Sequence, residues 1–86
     1  MSDLSSQFEA AADAVKTLKQ RPDDETLLSL YAYYKQGSTG DVQGRRPGLF
    51  DFKGSAKYAA WERLRGMESD KAKQAYVDLV ERLASA

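Results

Sequence analysis

Apolar residues recur along the chain at the three-and-four spacing of an α-helix, with polar residues between them. Leu4, Phe8, Ala11, Val15 and Leu18 form the first stripe. Ser6 with Glu9 is a candidate capping box near its start, while Ser2 or Asp3 would cap a slightly longer helix. Pro22 stops this helix, because its ring fits poorly into a helix interior. Asp23 and Asp24 then stand where a second helix takes its N-cap. The second stripe is Leu27, Leu28, Leu30, Tyr31 and Tyr34, and it runs out at Gly37-Ser38-Thr39-Gly40.

The pattern breaks over Asp41–Phe50. Two glycines, Pro47 and two arginines read as an ordered loop rather than a regular element. Helix-to-helix connections are usually shorter, and loops of this length tend to be functional or disordered. A third helix begins between Phe52 and Ser55 and closes at Gly66, packing through Ala56, Ala60, Leu64 and Met67 with Trp61 beside them. Ser69 or Asp70 caps a fourth, whose stripe is Ala72, Tyr76, Leu79, Val80 and Leu83. There is no internal repeat and no low-complexity segment. The pattern predicts an all-α fold, a four-helix bundle with a long loop between helices two and three.

Composition narrows the function classes. The chain has 86 residues, which sets the expectation of one domain spanning residues 1–86. It has no cysteine and no histidine, so disulfides, thiolate metal sites and the commonest general base are excluded. Thirteen basic residues balance thirteen acidic ones, which argues against a general nucleic-acid binder. No apolar run approaches the roughly 20 residues that span a bilayer. The first residues carry no secretory signal, and the chain has neither a myristoylation glycine nor a prenylation cysteine. The expectation is a soluble, cytoplasmic protein.

The second helix carries the unusual chemistry. Tyr31, Tyr34 and Lys35 share one broad face with Leu28, so that face is graded from apolar through aromatic to cationic. It suits a ligand with an apolar part, a flat ring and an anionic part. Tyrosine supplies a stacking surface and a hydroxyl donor, and lysine supplies a point charge for phosphate. Taken alone, the same tyrosines also read as half-buried core residues. Lys53 and Lys57 lie four apart on one side of the third helix, and Lys16 borders the first stripe; singly, each reads as a solvated charge. Tyr76 reads as core. Arg45 and Arg46 either contact phosphate or pair with Asp41 or Asp51. No phosphate-binding glycine loop is present, and no nucleophile is set up with a base and an orienter.

The ordered string resembles the acyl-CoA-binding protein family. It runs through Phe8-Glu9, Ala11-Ala12, Val15-Lys16, Leu18, Pro22, Leu30-Tyr31-Ala32-Tyr33-Tyr34-Lys35-Gln36 and Gly40-Asp41. It continues with Arg46-Pro47-Gly48, Asp51-Phe52-Lys53-Gly54, Ala56-Lys57, Ala60-Trp61, Gly66-Met67 and Ala75-Tyr76. The resemblance implies a four-helix bundle in which the long loop joins two parallel helices. It implies a monomeric carrier that binds medium- and long-chain fatty acyl-CoA without converting it. No cofactor, nucleic acid or membrane insertion is implied, and contacts with acyl-CoA-using enzymes would be transient.

Carried over by position, the resemblance has Tyr31 donate to the ribose 3′-phosphate and Tyr34 stack on adenine. Lys35 and Lys57 meet the phosphates, Lys16 approaches from the first helix and Tyr76 from the fourth. The stretch Tyr31, Ala32, Tyr33, Tyr34, Lys35 lines the site, with Lys53 a further candidate. Four positions depart from the common pattern. Tyr58 stands where tryptophan is frequent, which alters any tryptophan-based fluorescence response, and Ser55 and Arg65 each replace a frequent lysine. Gly37 replaces the usual alanine, an expected loosening of the second helix's end. Two other readings stay open on the residues alone: a helical module that docks a partner peptide on its tyrosine face, and an acyl-CoA-using enzyme.

Overall fold

A computed structural model describes residues 3–85 of the chain. Among them are four helices and no strand: α1 (Leu4–Val15), α2 (Asp24–Ser38), α3 (Phe52–Glu62) and α4 (Ser69–Ser85). Three begin on an aspartate. The carboxylates of Asp3, Asp23 and Asp51 accept the backbone N–H of Ser6, Thr26 and Gly54 at 2.7, 2.8 and 2.9 Å. Each satisfies a donor that the first helical turn leaves unpaired. Asp3, rather than a Ser6–Glu9 box, therefore starts α1, and Asp23 rather than Asp24 starts α2.

Two helix ends differ from the sequence reading. α1 stops at Val15, and Leu18 lies beyond it as half-buried connecting chain. The Thr17 N–H and hydroxyl both donate to the Ala14 carbonyl, so a tightened turn ends the helix before Pro22 is reached. α3 stops at Glu62, and a chain of short turns carries the backbone to Gly66, whose φ of 90° reverses it. Ser69 is the first residue of α4. Its hydroxyl reaches the Gln36 carbonyl at 3.5 Å instead of capping its own helix.

α2 packs against both α3 and α4, and α4 packs against α1. Lys53 shares a cleft with Asp24, Lys57 lies over Tyr31, and Lys35 lies over Trp61. Later residues of one helix meet later residues of the other, so α2 and α3 run parallel. Against α4 the order reverses: Thr26 shares a cleft with Arg82, and Gln36 meets Ser69, so that pair is antiparallel.

A parallel pair requires a return as long as the helix itself, which is the work of residues 39–51. This loop is tied down along its length. The Trp61 indole N–H donates to the Gly40 carbonyl at 2.8 Å, Val42 is buried, and the Tyr58 hydroxyl donates to the Gly44 carbonyl at 3.2 Å. Arg46 stacks over the Tyr58 ring at 5.0 Å and pairs with Glu62 at 2.8 Å, not with Asp41 or Asp51.

The main core gathers Phe8, Ala11, Leu30, Tyr76, Val77 and Val80 from α1, α2 and α4. Each large side chain fully buried there contributes about 1.5–3 kcal/mol. Gln36 is wholly buried beside it. Its amide nitrogen donates to Asp41 Oδ1 and to the Met67 carbonyl, both at 2.8 Å, and so ties the end of α2 to the loop and to the α3–α4 turn. Asp41 is also held by the Gly66 N–H at 2.8 Å. Gly37 does not fray α2, which continues to Ser38. A Cβ at Gly37 would come 3.0 Å from Lys73 Cγ and 3.2 Å from Phe8 Cζ, so the missing side chain lets α1 and α4 close on α2.

Candidate ligand-binding site

Three tyrosines from two helices converge beside α1. The Tyr34 ring stacks on Phe8 at 5.3 Å, and Phe8 meets Tyr76 edge-on at 5.2 Å. Tyr34 and Tyr76 lie 5.7 Å apart, closing an aromatic triangle. Phe8 and Tyr76 are buried, but Tyr34 keeps 41% of its surface exposed. A ring held on one face and open on the other is a stacking platform. Burial, with a smaller contribution from Tyr34, pushes the Tyr76 phenol above its ordinary pKa of 10.0. It therefore stays protonated and able to donate.

Tyr31, Tyr34 and Tyr76 open onto a cleft of about 350 Å³ whose rim includes Lys16 at the C-cap of α1. Ala12, Val15, Leu27 and Leu30 form its apolar lining. A second cleft of about 620 Å³ lies between the beginnings of α2 and α3, lined by Leu27, Leu28, Phe52 and Ala56 and edged by Lys53 and Lys57. Leu27 belongs to both, so the clefts adjoin. The Lys57 ammonium bridges them, 5.4 Å from the Tyr31 ring centre.

Lysines thus flank the tyrosines from two sides. Lys16 comes from α1, while Lys57 and Lys35 lie toward α3. Lys35 is parked 4.8 Å over the Trp61 ring, half-buried, with its charge against the ring's negative face. Among the described residues no carboxylate pairs with this cation, which leaves it available to an anion.

Two residues of the expected stretch point elsewhere. Ala32 is buried and lines a cleft on the α3 side together with Ala60 and Leu64. Tyr33 faces that cleft and a neighbouring one beside Leu79. The helical turn that brings Tyr31 and Tyr34 together turns their two intervening residues away. Sequence reasoning also missed contributors. Phe8 and Leu27 read as ordinary stripe members, yet one backs the stacking platform and the other joins the two clefts. Trp61, the single tryptophan, holds Lys35. Beyond its place at the start of the family string, the signal for Phe8 is a large ring in a helix otherwise rich in alanine.

A family model described as "Acyl CoA binding protein" matches residues 5–80. The chain belongs to the acyl-CoA-binding protein family. It is 51% identical to acyl-CoA-binding protein homolog 1 of Caenorhabditis elegans, covering 88% of each chain. It is 48% identical to the acyl-CoA-binding protein homolog of Drosophila melanogaster, covering 95% of each. Solved structures agree. Acyl-CoA-binding protein 2 of Oryza sativa superposes with a TM-score of 0.91 at 35% identity, over 96% of this chain and 92% of that one. The acyl-coenzyme A binding protein from yeast gives 0.77 at 41% identity, over 94% of each. The family is one of binding proteins with this all-α architecture, and among the described residues no helix is long and apolar enough to cross a membrane.

Proposed function

We infer that the chain is a single acyl-CoA-binding domain over residues 1–86, a monomeric cytoplasmic carrier that forms a pool of medium- and long-chain fatty acyl-CoA without converting it. Family membership supports the ligand class. The observation that carries the reading is the adjoining pair of clefts: one is aromatic with Lys16 on its rim, the other has an apolar lining of Leu27, Leu28, Phe52 and Ala56 edged by Arg21, Asp24, Lys53 and Lys57, and the two are joined at Leu27 and bridged by Lys57 over Tyr31.

The ligand is split in the same way. Tyr34 offers its open face to the adenine, and the Tyr31 hydroxyl donates to the 3′-phosphate. Lys16, Lys35 and Lys57 compensate the phosphates, with Lys53 at the edge and Tyr76 donating from the floor. Ala32 and Tyr33 serve by shaping α2 beneath these contacts. A few placed lysines compensate a polyanionic head without making the whole chain basic. The acyl chain lies along Leu27, Leu28 and Ala56. Each buried methylene adds about 0.8 kcal/mol, which favours longer chains until the groove is filled. Covering the thioester protects it and holds down free acyl-CoA for transient delivery to acyl-CoA-using enzymes.

Titration calorimetry with palmitoyl-CoA, free CoA and palmitate tests this. Palmitoyl-CoA binds far more tightly than either fragment if head and tail are both held. Equal affinity for the whole and a fragment would sink the reading. Mass spectrometry of palmitoyl-CoA after long incubation with the protein is expected to show it unchanged.

A further inference from the structure

Three large apolar side chains stand out in solvent at one place. Leu49 is 88% exposed, Phe50 89% and Phe52 74%. They occupy the turn that ends the long loop and the first residue of α3, where the Asp51 N–H donates to the Gly48 carbonyl at 3.0 Å. Scattered exposed leucines are ordinary, but three bulky groups within four residues are a patch that needs an occupant.

The surrounding charge says which occupant. From Val42 to Ala60 the chain carries Arg45, Arg46, Lys53 and Lys57 against one acid, Asp51. Asp51 is engaged with the Gly54 N–H, and Arg46 is held by Glu62. The chain as a whole is neutral, so this basic excess is local. Exposed apolar side chains in a stretch with more cations than acids, with Arg21 and Asp24 adding one charge of each sign at the cleft beside Phe52, fit the interface of an anionic bilayer, which yields to protruding groups without a preformed pocket. Position gives a second reason. Phe52 also lines the apolar cleft with Leu27, Leu28 and Ala56, so the patch is continuous with the mouth of that cleft.

We propose that Leu49, Phe50 and Phe52, with Arg45 and Lys53 close to them in sequence, dock this protein reversibly on anionic membrane surfaces and turn the mouth of the apolar cleft toward the bilayer. The docking stands on the patch and its charge; what would be exchanged there rests on the acyl-CoA reading above.

Sucrose-loaded vesicles test the docking by sedimentation at low salt. Phosphatidylcholine vesicles with about one third phosphatidylserine should carry down the protein better than pure phosphatidylcholine. Leu49→Ser/Phe50→Ser should weaken partitioning about tenfold or more, and Arg45→Gln should weaken it less. Circular dichroism checks that the variants keep their helices. Equal sedimentation of the double variant and wild type overturns the proposal, and so does binding indifferent to phosphatidylserine. A concentration-dependent dimer abolished by the same double variant, with no vesicle binding, assigns the patch to a second copy and overturns it too. Calorimetry of palmitoyl-CoA without vesicles is run on the same proteins. Vesicle binding without palmitoyl-CoA binding refutes the ligand reading alone, and the converse refutes the docking alone.

Discussion

The Lys57 ammonium lies 5.4 Å from the centre of the Tyr31 ring. This pairs a cation of α3 with an aromatic of α2 at the seam between the two clefts. Tyr31→Phe keeps the ring that Lys57 rests on and removes only the hydroxyl. A hydrogen bond to a charged group is worth about 1.5–3 kcal/mol, so the Kd for palmitoyl-CoA should rise roughly 10–100-fold. Helical content should not change. Calorimetry and far-ultraviolet circular dichroism check both halves, and unfolding on this substitution would favour a packing role instead.

Lys35 over Trp61 predicts an optical signal. Trp61 is the single tryptophan and is 6% exposed. When an anionic head draws the ammonium off the ring, the emission of Trp61 should change. Lys35→Ala should remove most of that change, weaken binding and cost about 1–2 kcal/mol of stability, since a half-buried cation–π contact falls between the exposed and the desolvated case. Titrating wild type and variant with palmitoyl-CoA while following fluorescence gives the comparison.

Gln36 is a structural residue despite its place in the Tyr-x-x-Tyr-Lys-Gln string. Gln36→Leu should cost about 2 kcal/mol in urea unfolding, because two hydrogen bonds to the loop and the α3–α4 turn are lost. Gln36→Glu should cost more. It replaces a donor with a buried carboxylate aimed at Asp41 and the Met67 carbonyl. If the two variants unfold at the same urea concentration, the amide is not the tie described.

Stability should fall in acid. The Ser6 amide, followed by its hydroxyl, holds Asp3 below the ordinary carboxylate pKa, and the Thr26 hydroxyl, followed by its amide, does the same for Asp23. For Asp41 the Gly66 N–H does most, followed by the Gln36 amide, with Arg65 adding a little against desolvation. A carboxylate whose folded pKa is depressed stabilises fully above its unfolded value of about 3.9. That contribution is lost as pH falls through the lower folded value. Thermal unfolding should therefore be nearly flat from about pH 7 to 5 and drop below about pH 4. Asp41→Asn should flatten part of the drop.

Much of this was written in local chemistry. Asp23 before α2, Gly40 after it and the apolar stripes are signals a few residues long, and the elements form where they fall. The end of α1 was not legible, because Leu18 continues the stripe although the Ala14 carbonyl is already taken by Thr17. For Arg46 the sequence offers phosphate or the nearby Asp41 and Asp51, because it shows only near neighbours, whereas Glu62 is brought to it by the return of the loop.

By itself, the sequence determined four helices, a long ordered loop and one face of α2 rich in tyrosine and lysine, because periodicity and capping act within a turn or two of the chain. Tertiary structure alone decided which of those residues meet. It turned Tyr31 and Tyr34 toward Lys16 and Tyr76 and turned Ala32 and Tyr33 away. It set Lys57 on Tyr31 and Lys35 on Trp61, and it buried Gln36 as a tie. Those choices depend on the parallel run of α2 and α3, which is a packing solution of the whole chain and not a property of any segment.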